Sequence, residues 1–249
     1  MTTEPIAVWE GVTKLYPGRG YEGGVWALRG LDLRVCPGEV VGLLGPNRAG
    51  KTTVAKLLLS LCRPTEGRLL RFGRPISDHR TLGRIGYVHE DPAFPLDLNA
   101  YELLRYFGAL SLTPASLLKR RIPELLDRFG LADRRSEPIG QFSKGMVQRL
   151  GIAQSLLNDP ELLVMDEPAE GLDLDGRRLV RELIGELRSR GRSVLLISHS
   201  LSDVERLCDR AAVLASGRKV FDGPLESLKS IVEGPLEEAL AVLYQRSAA

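Results

Sequence analysis

Between Val40 and Thr53 the chain reads VVGLLGPNRAGKTT: an apolar run, Gly45, four residues, then Gly50-Lys51-Thr52. An apolar run that ends in a glycine-rich turn and passes into helical spacing, here Ala49 to Leu61, demands a strand, a curled loop and a helix. A strand that feeds a helix in this way belongs to an α/β fold with a largely parallel sheet, because parallel neighbours need a crossover between them. The glycines let successive N–H groups converge beside a helix N-terminus, where negative charge is favoured. The stretch is therefore a phosphate-loop pattern. Its candidate contacts are Gly45, Pro46, Asn47, Arg48, Ala49, Gly50, Lys51, Thr52 and Thr53. Lys51 is placed to reach β- and γ-phosphates, and the Thr52 hydroxyl to ligate Mg²⁺. Arg48 stands where such loops usually carry glycine, and a side chain there costs most if the backbone needs φ > 0. With both glycines and the lysine intact, binding is expected to survive.

Apolar runs and helical stretches alternate along the rest of the chain. LDLRV (31–35) and EVVGLLG (39–45) read as two strands around Pro37-Gly38, with EGRLLRFG and RIGYV as further short strands. From Leu98 to Leu157 the period is helical, broken by Pro114, Pro123, Gly130 and Pro138. This predicts a helical subdomain, residues 93–157, inserted into the α/β core. Strands resume with ELLVMDEP and RSVLLISH, and AAVLASGRKVFDG reads as a hairpin around Ser216-Gly217. Residues 224–249 are expected to form a helical extension that packs on the body.

Composition excludes more than it selects. The net charge of +2, from 34 basic and 32 acidic residues, names no polyanionic partner, and no nucleic-acid partner is expected. Cys36, Cys62 and Cys208 have no metal-ligand spacing and read as reduced, mostly buried thiols of a cytosolic protein. MTTEPIAVWE lacks a basic region followed by an apolar stretch, so a secretory signal is not expected, and the longest apolar runs fall far short of the ~20 residues that span a bilayer.

LLVMDEP ends an apolar strand in two acids. Asp166 at the strand end can hold the shell of a Mg²⁺, and Glu167 can accept a proton from an attacking water. His199 follows the strand SVLLIS. The interval from Glu167 accommodates one helix and one strand, which returns His199 to the same sheet edge, where α/β folds place ligands.

At QFSKGMVQRLGIAQSLL (141–157) the chain resembles the signature segment of the ABC ATPases, the nucleotide-binding subunits of ABC transporters. The resemblance runs through nearly the whole chain in order. Tyr16 corresponds to the residue that stacks on adenine, 45–53 to the Walker A loop and 162–167 to Walker B with its catalytic glutamate. EGLDL (170–174), carrying Asp173, corresponds to the D-loop, and His199 to the switch histidine. Glu90 stands where the Q-loop most often has glutamine; a carboxylate there can also coordinate Mg²⁺, and it adds a negative charge beside the γ-phosphate. Phe142-Ser143-Lys144-Gly145-Met146 replaces the commoner Leu-Ser-Gly-Gly-Gln, keeping Ser143 and Gly145 for phosphate contact. The loop between Tyr16 and Ala27 is long, and Tyr21 is a rival for the adenine stack.

The resemblance implies one nucleotide-binding domain over 1–249. Its fold is an α/β P-loop core with a largely parallel sheet, an N-terminal antiparallel β portion and the inserted helices. It also implies ATP and Mg²⁺ as cofactors, and a head-to-tail pairing with a second nucleotide-binding domain, most simply a homodimer. Lys51, Glu167 and His199 are the residues it assigns to hydrolysis. The partner implied is an integral-membrane permease, with the chain cytoplasmic and peripheral on the inner face of the cell membrane. Phe94 and Tyr101 are candidate exposed aromatics for that contact. The Glu90 and SKGM features are similar to an exporter-associated branch serving drug and polysaccharide export, gliding motility and copper-enzyme maturation. The alternatives are a soluble ABC ATPase acting on ribosome or DNA, and an ATP-dependent regulator that does not hydrolyse. The regulator is disfavoured by the presence of Glu167 and His199.

Overall fold

The computed structural model describes residues 4–18 and 24–248. In chain order the elements are β1 (Ala7–Tyr16), β2 (Val25–Val35), β3 (Val40–Leu44), α1 (Lys51–Leu58), β4 (Glu66–Arg71), β5 (Arg74–Pro75), β6 (Ile85–Val88), α2 (Ala100–Leu110) and α3 (Ala115–Arg128). They continue with α4 (Lys144–Ser155), β7 (Leu162–Asp166), α5 (Leu174–Ser189), β8 (Ser193–Ile197), α6 (Leu201–Leu207), β9 (Arg210–Ala215), β10 (Arg218–Pro224), α7 (Leu225–Lys229) and α8 (Leu236–Ala248). The chain divides into two compact units, Met1–Leu82 with Leu187–Ala249, and Gly83–Glu186.

The first unit holds an antiparallel sheet in the order β2-β1-β4-β5, and a run β10-β9-β3-β8 in which β3 lies parallel to both β8 and β9. LDLRV and EVVGLLG do not pair with each other: β2 pairs with β1, while β3 enters the parallel run. The burial patterns give the reason. β2 alternates between buried and exposed positions, as a half-solvated antiparallel strand does, whereas all five residues of β3 are buried, as in a strand covered on both faces. The hairpin at Ser216-Gly217 forms with both residues at positive φ (48° and 77°), as a two-residue turn between right-twisted strands requires. Phe72-Gly73 makes a second such turn, so EGRLLRFG ends its strand at Arg71. At the tail, α8 buries Leu236, Ala239, Leu240 and Leu243 against β9, β10 and α7.

In the second unit β6 and β7 are parallel, and α2, α3 and α4 lie between them in sequence. Asn99 and Glu102 close a capping box at the start of α2. The α2 and α3 helices interlock at Gly108, where an added Cβ would sit 2.4 Å from a Leu118 methyl. Pro123 does not break the helical stretch as expected; it lies inside α3. Pro123 and Lys119, whose carbonyl loses its donor, are both on the exposed face, where solvent can take the place of the missing N–H. Leu118, Ile122, Leu125 and Leu126 hold the helix to its neighbours from the other face.

Gly86 in β6 is a packing requirement, since an added Cβ would lie 2.3 Å from the Ser155 carbonyl and 2.8 Å from a Leu163 methyl. Gly86→Ala is expected to cost about 3 kcal/mol and to lower the melting temperature by roughly 6–12 °C. Gly83→Ala, which meets nothing within 4 Å, serves as the neutral control in the same calorimetric comparison.

Among the described residues no helix is long and apolar enough to cross a membrane. Of the cysteines only Cys208 is buried, its thiol pushed up to about 12 chiefly by burial. Cys36 and Cys62 are half-buried and all three are free, which corrects the expectation of mostly buried thiols.

Candidate functional site: a glycine-rich loop and a carboxylate-bearing strand edge

In the first unit, Leu43 of β3 stands opposite Ile197 of β8. Gly45 and His199 each lie two residues beyond that pair, so the phosphate loop and the histidine leave the parallel run at one edge. The loop has the backbone its sequence implies. Gly45 (φ 151°) and Gly50 (φ 107°) occupy conformations closed to other residues, and a Cβ on either would meet a carbonyl oxygen at 2.4 Å, that of Leu214 or Ala27. The first turn of α1 has neither a side-chain cap nor an acidic residue, as suits a helix N-terminus that faces an anion. Lys51 bends back to donate from Nζ to the carbonyl oxygens of Gly45 (2.7 Å) and Pro46 (3.1 Å). Thr52 is exposed on the same turn, and Thr53 is buried beneath it.

Arg48 adopts φ 68°, so the loop does need a left-handed residue at the position where glycine is usual; its side chain is exposed. That conformation costs a non-glycine residue about 1 kcal/mol, and glycine would lose about 0.5–1 kcal/mol through its freer unfolded chain. The two nearly cancel. Arg48→Gly is therefore expected to shift the melting temperature by less than about 2 °C, and to leave nucleotide affinity within about threefold in an equilibrium titration.

Tyr16 ends β1, half-buried. Its hydroxyl lies 3.5 Å from Cys62 Sγ, and its pKa is raised, first by burial. The Lys14 ammonium lies 4.9 Å from the ring centroid, so one face of the ring carries a cation. Tyr21 falls outside the described residues.

The second unit repeats the edge geometry. Val88 of β6 stands opposite Met165 of β7, and Glu90 and Glu167 each lie two residues beyond. Asp166 is buried at the strand end. Glu167 holds φ 47°, a conformation that a residue with a Cβ keeps only where its surroundings impose it. Tyr87, which sequence reasoning passed over, reports on these acids. Its hydroxyl is pushed up to about 12, first by burial and then by the charges of Asp166 and Glu90. Two carboxylates bearing on one hydroxyl make a local negative field suited to a hard cation. Among the described residues no cluster of three or more His, Cys, Asp or Glu could hold a metal. A Mg²⁺ that arrives with a phosphate needs only one or two carboxylates, and within this unit Asp166 and Glu90 have the donor chemistry for it.

Ser143 caps α4, its Oγ accepting from Met146 N at 3.3 Å, and is exposed. Gly145 faces Gly171 O at 3.4 Å from an ideal Cβ, and the Lys144 stem lies over Gly171. Asp173 Oδ1 accepts from Gly176 N and from Arg149 Nη2, both at 2.8 Å; those two contacts, in that order, lower its pKa. The expected aromatics depart from their reading. Phe94 and Tyr101 are half-buried, Phe94 packing edge-on to Phe107, and the exposed large side chains nearby are Leu96, Tyr106, Leu110 and Leu112. The inward face of α4 also carries Gln148 and Arg149. Their only sequence signal was a polar pair on the stripe that includes Gly145 and Ile152, a stripe expected to be apolar.

A strand–loop–helix phosphate cradle on a parallel sheet defines a P-loop α/β nucleotide-binding fold. A sequence profile described as "ABC transporter" matches residues 28–170, and the chain belongs to that family as an ABC ATPase. It is 45% identical over 216 residues to an uncharacterized ABC transporter ATP-binding protein of Nostoc sp. strain PCC 7120. That alignment covers 84% of this chain but 64% of the relative, so the chain spans just under two thirds of that protein's length. It is also similar to the Nod factor export ATP-binding protein I of Cupriavidus metallidurans, at 38% identity over 231 residues, 87% of this chain and 76% of the relative. Among solved structures it resembles an ATP-binding subunit of an ABC transporter, with TM-score 0.86 at 29% identity over 96% of this chain and 99% of the other. The fold is also that of an ATP-binding cassette captured as a dimer after hydrolysis with ADP and Pi, with TM-score 0.79 at 24% identity over 88% of this chain and 98% of the other.

Proposed function

We propose that this chain binds Mg·ATP and hydrolyses it in a head-to-tail dimer, powering a separate integral-membrane permease of an exporter. The observation that carries the reading is the paired strand register. Gly45 with His199, and Glu90 with Glu167, each leave a parallel strand pair two residues past a matched pair. The names of relatives in Nod factor export support the direction of transport.

In this reading Gly45 to Thr53 wrap the phosphates, and Tyr16 supports the base. Lys51 neutralises charge on the β- and γ-phosphates as it exchanges its loop carbonyls for phosphate oxygens. Thr52, Asp166 and Glu90 hold the Mg²⁺, which when bound screens the phosphate charge. Glu167 takes the proton of the attacking water, and His199 donates to the γ-phosphate as charge develops on it. Ser143, Gly145 and Asp173 act from the facing protomer. The helices within 93–157 carry the resulting motion to the permease, and the chain works on the cytoplasmic face of the membrane.

The test uses tagged Glu167→Gln held with Mg·ATP in mildly solubilised membranes of its own source. A nucleotide-dependent dimer by light scattering, with a stoichiometric polytopic protein co-purifying, is the expected result. Co-purification of ribosomes or nucleic acid instead would replace the transporter reading by that of a soluble ATPase.

A further inference from the structure

Gln148, in the second turn of α4, is 1% exposed. Its Nε2 donates to the carbonyl oxygen of His89 at 3.2 Å and to that of Pro168 at 3.4 Å. His89 immediately precedes Glu90, and Pro168 immediately follows Glu167. One side-chain amide, mounted on a helix, thus joins the two loops that leave β6 and β7, each at the residue next to a carboxylate. A primary amide carries two N–H donors, so it can serve both carbonyls at once. Glu167 needs such an anchor, because φ 47° is not a conformation that its own backbone favours.

We infer that Gln148 is a positioning residue for hydrolysis, holding Glu90 and Glu167 at the separation and orientation that turnover requires. The inference rests on the proposed reading of Glu167 as the base. Gln148 lies on α4, apart in sequence from the phosphate loop, so its loss should fall on turnover and on the Mg²⁺ requirement rather than on nucleotide affinity. A residue that merely packs would lower turnover, affinity and melting temperature together.

Gln148→Met keeps the length and apolar bulk of the side chain and deletes both donors. The full chain is assayed as wild type, Glu167→Gln and Gln148→Met for kcat, for the Mg²⁺ concentration giving half-maximal rate, for equilibrium Mg·ATP affinity at saturating Mg²⁺ and for melting. The expected result is a kcat at least tenfold lower in Gln148→Met and a raised half-maximal Mg²⁺, with affinity within threefold of wild type. A folded Gln148→Met with kcat within twofold of wild type overturns the inference, as does a kcat loss matched by an equal loss of affinity. If the methionine variant does not melt cooperatively, Gln148→Asn, whose amide falls one methylene short, is judged by the same two ratios. Glu167→Gln separates the two failures. If it hydrolyses ATP like wild type, the reading of Glu167 as base is wrong and the inference falls with it. If it is inactive while Gln148→Met is not, only the inference fails.

Discussion

Replacing Glu167 by glutamine is expected to lower kcat for ATP hydrolysis by about 10²–10⁴-fold, the range that a positioned general base contributes. Glutamine has nearly the same shape, so neither the buried end of β7 nor the φ 47° backbone at position 167 is disturbed. The carboxylate is the only feature lost. Mg·ATP affinity should stay level or tighten, because a negative charge beside the γ-phosphate repels it. Single-turnover and equilibrium-binding measurements on one preparation separate the two effects. Hydrolysis within tenfold of wild type would assign the base to another group.

The second large effect is on binding. Lys51→Ala should raise the Kd for Mg·ATP by roughly 100-fold. In the free chain the ammonium is held by the carbonyl oxygens of Gly45 and Pro46. Binding exchanges those two neutral acceptors for anionic phosphate oxygens. The donor is charged in both states, so the gain comes from the phosphate charge: about 4 kcal/mol for an ion pair at ~4 Å near a protein surface, less part for desolvation, leaves about 3 kcal/mol, or two decades in Kd. A Kd within threefold of wild type in an equilibrium titration would mean that Lys51 stays on the loop carbonyls. The contrast with Arg48→Gly is part of the test. Both residues lie in one loop and both are cationic, yet only the lysine is expected to matter, because the Arg48 side chain is exposed.

Most of the phosphate loop was legible in the chain itself. Glycines at 45 and 50 and the apolar run before them are local requirements, and local requirements are written locally. The hairpin at Ser216-Gly217, the strand ending in Asp166 and the helix opened by Ser143 follow for the same reason. Pro123 was misread because a proline's effect depends on whether its unpaired carbonyl partner meets water, which is a matter of burial. Phe94 is half-buried rather than exposed because an aromatic residue near a surface segment can turn inward when a neighbour, here Phe107, offers an edge; Tyr101 is half-buried as well.

The chain alone determined the phosphate loop, the two adjacent carboxylates at the end of β7 and the alternation that makes an α/β fold, since each depends on residues a few positions apart. Only the tertiary structure decided that Glu90 and Glu167 leave parallel strands in register, that Tyr87 senses both Glu90 and Asp166, and that Gln148 reaches the carbonyls of His89 and Pro168. Apart from Tyr87 with Glu90, those pairings join residues 20 to 79 positions apart, from Pro168–Gln148 to Asp166–Tyr87, and which side chains meet over such separations is settled by strand register and helix packing, not by any local spacing.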